Sequence, residues 1–590
     1  MNKLLHYLLE KEWKIPQEEK ISRAIRNFSL FEKILLYCFV AIFLLSALTL
    51  LNEVSNSVSV EIPAHGGTLT EGVIGTPRFI NPLLATSDTD RDLVSLVYSG
   101  LLKETSDGQF IPDLAESYTI SPDGLVYTFQ LKKDIVFQDG TPITADDVVF
   151  TIQKAQSPTL KSPKRANWDG VKAEKVNDQE IKLTLKQAYG PFLENTTLGI
   201  LPKHIWKDTT DEAFPFNSDT VKPVGSGPYQ IDSIEKDKAN VPISYTLSSF
   251  RKYAGGEAYI SQIIFKFYQN EDDLLSAYKS KEIESVNTIS PEKVSDLKTL
   301  GGKIEQTPLS RIFGVFFNQN EAPIFAAKEV RTALNMAVDK DKIVHDVLLG
   351  FGVKLNGPIP PGSLQNEIGD VISTSTPQIN NGADIDGANA LLENAGWKIN
   401  PDTHIREKKD KKNTQVLSFS LAVPNTPELK RTADILKGEW AQIGVEALIK
   451  VYEPGDLSLE VIRPRKYDAL LFGEIVGPGL DLFAFWHSSQ RNDPGLNIAL
   501  YTNVKVDKIL EQIRILSDDS QKIDLYRQFE GELAKDTPAI FLYAPDFIYV
   551  VPAKVQGFSM GEVTVPSDRF LTISNWFIDT DKVWKIFVKK

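Results

Sequence analysis

The six histidines (His6, His65, His204, His345, His404 and His487) are the side chains best suited to metal ligation or proton transfer, and their spacing supports neither. None falls in H-x-x-H or H-E-x-x-H, the patterns that set two imidazoles on one helix face around a zinc ion. No G-x-S-x-G elbow presents a serine nucleophile. A Ser/His/Asp triad would have to be assembled from residues that nothing marks. Pro223-Val224-Gly225-Ser226-Gly227-Pro228-Tyr229 is glycine-rich, but it lacks the Gly-Lys-Ser/Thr ending of a phosphate loop, and a strand follows it rather than a helix. Any ATP use must therefore reside in another chain. The single cysteine, Cys38, lies inside an apolar run, so everything after it is without disulfides, Cys-ligated metal or a thiol nucleophile. What remains is recognition chemistry. Leu471 to His487 combines Gly473, Gly477 and Gly479, which permit close backbone approach, with the carboxylates Glu474 and Asp481 and the aromatics Phe472, Phe483, Phe485 and Trp486. The alternative is a loop that packs its aromatics into a core.

The elements that must position these residues are short strands and helices spread along the chain after the apolar run. At 590 residues the chain is too long for one ordinary core. Its net charge of −13 argues against nucleic acid as a partner, because phosphate binding needs a basic face. Pro122-Asp123-Gly124 is a tight turn, and Val126 to Leu131 alternates as a half-buried strand. Asp139-Gly140 is a second turn. Thr144 is placed to cap a helix with Asp146 and Asp147 in its first turn. Gly67 to Gly72 opens a strand, Asp88 to Leu102 reads as a helix capped near Thr89, and Tyr229 to Ile234 as a strand. Residues 328–350 give an amphipathic helix that breaks and resumes at Asp341, followed by a proline-rich turn, Pro358 to Gly362. Gly387 to Trp397 is a helix closed by Gly396. The strand Gln415 to Val423, the helix Glu428 to Gln442 and the strand Val445 to Val451 predict a right-handed βαβ unit. Tyr467 to Phe472 is an apolar strand and Phe541 to Val551 a late strand pair.

Six phrases, counting Asn81-Pro82 and Gly100-Leu101-Leu102 separately, resemble the family 5 extracellular solute-binding proteins, the peptide-binding components of ABC importers, and follow that family's order along the chain. The fullest runs from Pro112-Asp113-Leu114-Ala115-Glu116-Ser117-Tyr118 through Ser121–Leu131 to Asp139-Gly140-Thr141-Pro142 and Phe150. The others are Asn81-Pro82 with Gly100-Leu101-Leu102, Gly225-Ser226-Gly227-Pro228-Tyr229, Arg331-Thr332-Ala333-Leu334-Asn335 with Ala337 and Asp339, and the helix ending Ala395-Gly396-Trp397. The resemblance extends from about Gly66 to about Phe577. It implies an α/β, two-lobed periplasmic-binding-protein-like fold of the large three-subdomain type. Lobe 1 would be residues 66–305 in two subdomains, lobe 2 residues 306–540, and residues 541–590 would return to lobe 1. The implied function is binding of a peptide or peptide-like solute by hinge closure and its delivery to a permease and ATPase on other chains. No catalysis and no cofactor are implied. A sensor or scaffold with the same fold is the alternative, as is a non-peptide solute such as an oligosaccharide or metal chelate.

Ligands of two-lobed proteins sit between the lobes at strand ends. The expected site therefore takes Phe472, Gly473, Glu474, Asp481, Phe483 and Trp486 from the segment above. Asn81 and Arg78 join from the first-lobe loop, where a guanidinium meets a ligand carboxylate or a surface acid. Asn318 and Tyr543 are expected at strand ends facing the cleft. In peptide-binding relatives the segment reads G-W-x-x-D-Y and its Asp pairs with the peptide α-amino group. Here Gly473 matches the Gly, Glu474 stands at the Trp and Gly477 at the Asp, so the amine clamp is missing from its usual place. If Glu474 and Asp481 face the cleft, the site is acidic and favours a cationic ligand.

Ile34 to Leu51 carries no charged residue and is long enough to cross a bilayer as a helix. A cleaved signal peptide is disfavoured by the long segment before the run, and a lipobox by Tyr37 directly before Cys38. An uncleaved signal anchor is the expectation. Arg23, Arg26 and Lys33 precede the run, whereas Glu53 follows it with no Lys or Arg before Arg78. Residues 1–33 are thus cytoplasmic, 34–51 span the cell membrane once, and the large domain is extracytoplasmic. Residues 52–65 read as a linker that reaches at most ~50 Å when extended.

Overall fold

The computed structural model describes residues 25–298, 302–361, 382–409, 413–477, 479–516 and 519–587. The segment expected to be cytoplasmic, residues 1–33, falls largely outside them, as does the end of the turn at Pro358–Gly362. The chain forms two compact units, residues 1–64 with 580–590, and residues 65–579.

In the first unit one helix runs from Leu30 to Val58. Ser29 and Glu32 close its N-terminus reciprocally: the Ser29 amide and hydroxyl donate to the Glu32 carboxylate at 2.7 and 2.8 Å. Leu30–Ser55 has a mean hydropathy of 2.7, and none of the described residues covers it. The expected linker is not loose. Residues 52–58 complete the helix, and Ser59–Ala64 forms a strand paired with Asp579–Trp584. The C-terminal return is corrected accordingly: residues 580–590 belong with the helix and not with lobe 1.

The second unit is built on one long mixed sheet. In spatial order its strands are Glu446–Tyr452, Ser418–Pro424, Ala469–Ile475, Arg311–Phe317, Ala539–Val551, Ser285–Asn287, Gly66–Ile74, Ile260–Tyr268, Pro242–Ser249 and Tyr229–Lys236. Ala539–Val551 joins the two halves. Its first part pairs with Arg311–Phe317, from Phe313 opposite Tyr543 to Phe316 opposite Ala539. Its second part pairs with Lys303–Pro308, from Pro308 opposite Asp546 to Lys303 opposite Val551. The chain thus crosses between halves at Leu309–Ser310 and again near Ala544–Pro545. This element was expected as a strand pair and is one strand, buried almost throughout, because it is covered on both faces and so lacks the alternation that marks a strand end.

Separate apolar cores lie on either side of the crossing. One holds Leu69, Leu96, Phe129, Phe137, Trp206, Tyr245 and Trp576. Another holds Phe317, Leu334, Leu421, Trp440 and Leu542. The predicted βαβ unit is present, with Ser418–Pro424 parallel to Glu446–Tyr452 across the helix Pro427–Ala441. Gly444, at φ +74°, supplies the left-handed turn between helix and strand. The Val126–Leu131 strand and the Ala145–Gln156 helix also form. Asp147 accepts from the Thr144 amide and hydroxyl at 2.9 and 3.0 Å. The helix expected from Asp88 to Leu102 stops at Val97 and is capped by Ser87, which accepts from the Asp90 amide. Beyond the extended C-cap residue Tyr98, Gly100 packs so closely on the Thr197 carbonyl that a Cβ there would lie 2.6 Å from it.

A buried ion network ties the end of the chain to the first strand. Arg569 donates to Glu71 and Asp92, each pair at 2.7 Å with no side-chain exposure on the arginine. Glu71 also accepts from Asn287 and from the Tyr549 hydroxyl, both at 2.9 Å. Each carboxylate oxygen of Glu71 and Asp92 thus has a hydrogen-bond donor.

Candidate functional site

Residues 189–194, on one side of the crossing, meet residues 477–483 and the helix Val504–Ile515 on the other. Asp481 is the centre of this contact. It accepts two bonds from Arg514, at 2.9 and 2.5 Å, and one from the Tyr189 hydroxyl at 3.2 Å. The Arg514 guanidinium lies over the Phe483 ring at 3.7 Å, and the Gly190 amide donates to the Arg514 carbonyl at 2.7 Å. A bidentate guanidinium–carboxylate pair stacked on an aromatic ring has fixed geometry. Gly477 and Gly479 permit a close approach here. A Cβ on Gly477 would lie 3.0 Å from a Glu194 carboxylate oxygen, and one on Gly479 would lie 2.9 Å from Pro191.

Behind this contact is a group of interacting charges. Glu104 ends the strand Leu102–Glu104, and its carboxyl is pushed up to about 9, first by burial and then by the charges of Asp568, Glu194 and Glu562. Burial raises Glu194 too, offset by a bond from the Gly479 backbone and by Lys164. Burial lifts Glu562 to about 7 and Asp568 to about 6, although Asp568 accepts from the Thr564 and Val565 amides at 2.8 and 2.9 Å. Arg311, on the first strand past the crossing, is also held down by burial and interacts with Asp88 and Arg91. Glu104 thus lies in the field of three other carboxyl groups, while Lys164 acts on Glu194 and Asp568 and the cations Arg91 and Arg569 act on Asp568.

The expected site residues are distributed differently. Asp481 and Phe483 are at the contact described above. Arg78 is exposed, with its guanidinium 5.7 Å from the Phe79 ring centre. Asn81 is fully buried and holds its own turn by accepting from the Leu83 amide at 2.9 Å. Asn318 is also fully buried, spent on the Arg465 carbonyl at 2.8 Å and the Asn320 amide at 3.0 Å. Phe472 is half-buried against the core that holds Trp486. Gly473 makes room for Phe313, whose ring would stand 2.7 Å from a Cβ there. Phe313 in turn stacks on Tyr543 at 5.2 Å, and Tyr543 is buried, with its hydroxyl 3.4 Å from that of Thr432. Trp486 is packed among Phe316, Tyr501 and Phe541.

Glu474 corrects the acidic-cleft expectation most directly. The strand Ala469–Ile475 runs past Phe472, so Glu474 shares the inward face of Leu470 and Phe472. Burial pushes its carboxyl well above the usual range, and one of its oxygens has no hydrogen-bond partner. Glu194, from the facing segment, places its carboxylate beside Gly477. Glu104, Glu194, Glu562 and Asp568 come from separate elements, so no local spacing in the sequence could announce them.

A concavity of about 160 Å³ lies entirely on one side of the crossing, lined by Asn335, Asn356, Gly357, Pro358, Leu533, Phe541 and Glu530. Burial raises Glu530 to about 7.

Comparison with known proteins agrees with this architecture. The oligopeptide-binding protein AppA of Bacillus subtilis is 28% identical over 527 residues, which cover 88% of this chain and 92% of that protein. Its structure in complex with a nonapeptide is 27% identical with a TM-score of 0.68, covering 88% of this chain and 100% of that one. NikZ from Campylobacter jejuni, solved in complex with Ni(L-His), is 27% identical with a TM-score of 0.67, covering 86% of this chain and 99% of that one. Residues 109–494, more than half of the chain, match the bacterial extracellular solute-binding proteins, family 5 (middle region), and the chain belongs to that family.

Proposed function

We propose that the chain is the membrane-anchored, extracytoplasmic solute-binding component of an ABC importer, and that it closes its lobes on a peptide presenting an amino group or a basic side chain. The supporting observation is the set of Glu104, Glu194, Glu562 and Asp568 behind a contact that joins the two sides of the crossing. A ligand ammonium desolvated against these carboxylates gains charge-assisted hydrogen bonds and relieves their mutual repulsion. Glu194 takes the part that the family assigns to an acid at the Gly477 position.

The mechanism is hinge closure. Only two stretches cross between the lobes, so small backbone rotations at Leu309–Ser310 and Ala544–Pro545 move one lobe over the other. Asp481, Arg514 and Tyr189 then latch the closed state. The helix Leu30–Val58 holds the domain to the membrane, with its N-terminal end cytoplasmic, and permease and ATPase chains receive the solute. Titration calorimetry with a pool of short peptides, free and N-acetylated, tests the reading. Free peptides are expected to bind at least about tenfold more tightly than the acetylated pool, equivalent to ~1.4 kcal/mol. Equal affinity for the two pools, or no binding by either, overturns it.

A further inference from the structure

The C-terminal segment carries chemistry that solute binding does not use. After pairing with Ser59–Ala64, the strand Asp579–Trp584 leads into the turn Lys585–Phe587. The Trp584 indole donates to the Ser55 hydroxyl at 3.3 Å, and the Lys585 ammonium donates to the Ser57 carbonyl at 3.2 Å. Ser55 is the last residue of the uncovered apolar stretch Leu30–Ser55. Three large apolar side chains are thus displayed beside the end of that stretch, with exposures of 49% for Trp584, 78% for Ile586 and 69% for Phe587. The rings of Trp584 and Phe587 stack at 6.4 Å and 18°, which makes them one surface. Two more lysines, Lys589 and Lys590, follow in the sequence.

An indole with one polar edge is most stable where hydrocarbon meets headgroups, and a lysine beside it lays its stem on apolar surface and sends its charge to phosphate. We infer that the C-terminus is a second membrane contact. Trp584, Ile586 and Phe587 enter the headgroup zone of the outer leaflet at the exit of the helix, and Lys585 faces lipid phosphates. The occupant is lipid because these exposed apolar side chains stand beside the end of the uncovered apolar stretch Leu30–Ser55, where the polar Ser55 and Ser57 mark its exit. This inference rests on the reading of that helix as a membrane anchor.

The experiment uses the full chain reconstituted in vesicles of phosphatidylcholine and phosphatidylglycerol. Cys38 is the only cysteine, so Cys38→Ser gives a background for one fluorophore, placed at Phe587→Cys or, as a solvent reference, at Asp123→Cys. The label at 587 is expected to be quenched by spin-labelled lipid with a shallow probe and to resist aqueous iodide at least several-fold better than the label at 123. If 587 is as open to iodide as 123 while the protein resists alkaline extraction, the C-terminal contact is refuted and the anchor stands. Release of the protein by alkali refutes the anchor and this contact with it. Protection of 587 from both quenchers means that protein covers it, which also overturns the inference. Trp584→Ser with Ile586→Ser is expected to abolish lipid quenching at 587 without releasing the protein.

Discussion

Glu104 is the residue whose state most affects the site. Its folded-state carboxyl titrates at about 9, far above an unperturbed glutamate, because it is buried beside Asp568, Glu194 and Glu562. A carboxyl raised on folding binds protons more tightly in the folded state, so unliganded stability falls as pH rises from about 4.5 to about 9. Glu104→Gln is expected to flatten that part of the thermal-denaturation profile, raising the melting temperature at alkaline pH and leaving it unchanged at acid pH. Ligand binding responds in the opposite direction. A cation favours the ionised carboxylates, so affinity for a basic peptide rises with pH through the range of about 6 to about 9 set by Asp568, Glu562 and Glu104. Calorimetry in buffers of different ionisation enthalpy would register the released protons. Arg569 predicts a different loss. Removing it by Arg569→Met leaves Glu71 and Asp92 buried without their cation, at a cost of ~3–5 kcal/mol in a denaturant titration.

At the scale of elements, the glycine pair at 477 and 479 fixes how closely the two sides of the site meet. Gly477→Ala is expected to push back Glu194, and Gly479→Ala to collide with Pro191. Either should weaken peptide binding by roughly tenfold, through faster dissociation, with little change in melting temperature. Asp481→Asn should do the same by breaking the pair with Arg514, which equilibrium binding in parallel with melting curves would separate from misfolding. Much of the element pattern was legible in the sequence. The turn at Gly124, the cap at Thr144 and the helix stop at Gly444 all rest on local backbone chemistry. The site was far less legible. Reading the strand as ending at Phe472 exposed Glu474 on paper, whereas three more residues of pairing with Arg311–Phe317 bury it. Trp486 and Tyr543 look like ligand aromatics from their neighbours in sequence, yet long-range packing claims both. Glu104, Glu194 and Asp568 are brought together only by tertiary folding, which no residue spacing records.

For the whole molecule, the central claim is that the two sides of the crossing close on a cationic peptide. Spin labels at Asp178→Cys and Lys437→Cys in the Cys38→Ser background, both on exposed positions on opposite sides of the crossing, would measure the interlobe distance directly by pulsed electron resonance. The account predicts that unmodified peptides convert a broad, longer distribution into a single shorter one. It predicts further that N-acetylated peptides fail to do so and that Glu194→Gln abolishes the conversion. A distance that does not move with any peptide, or that shortens equally with acetylated peptides and in Glu194→Gln, would contradict it.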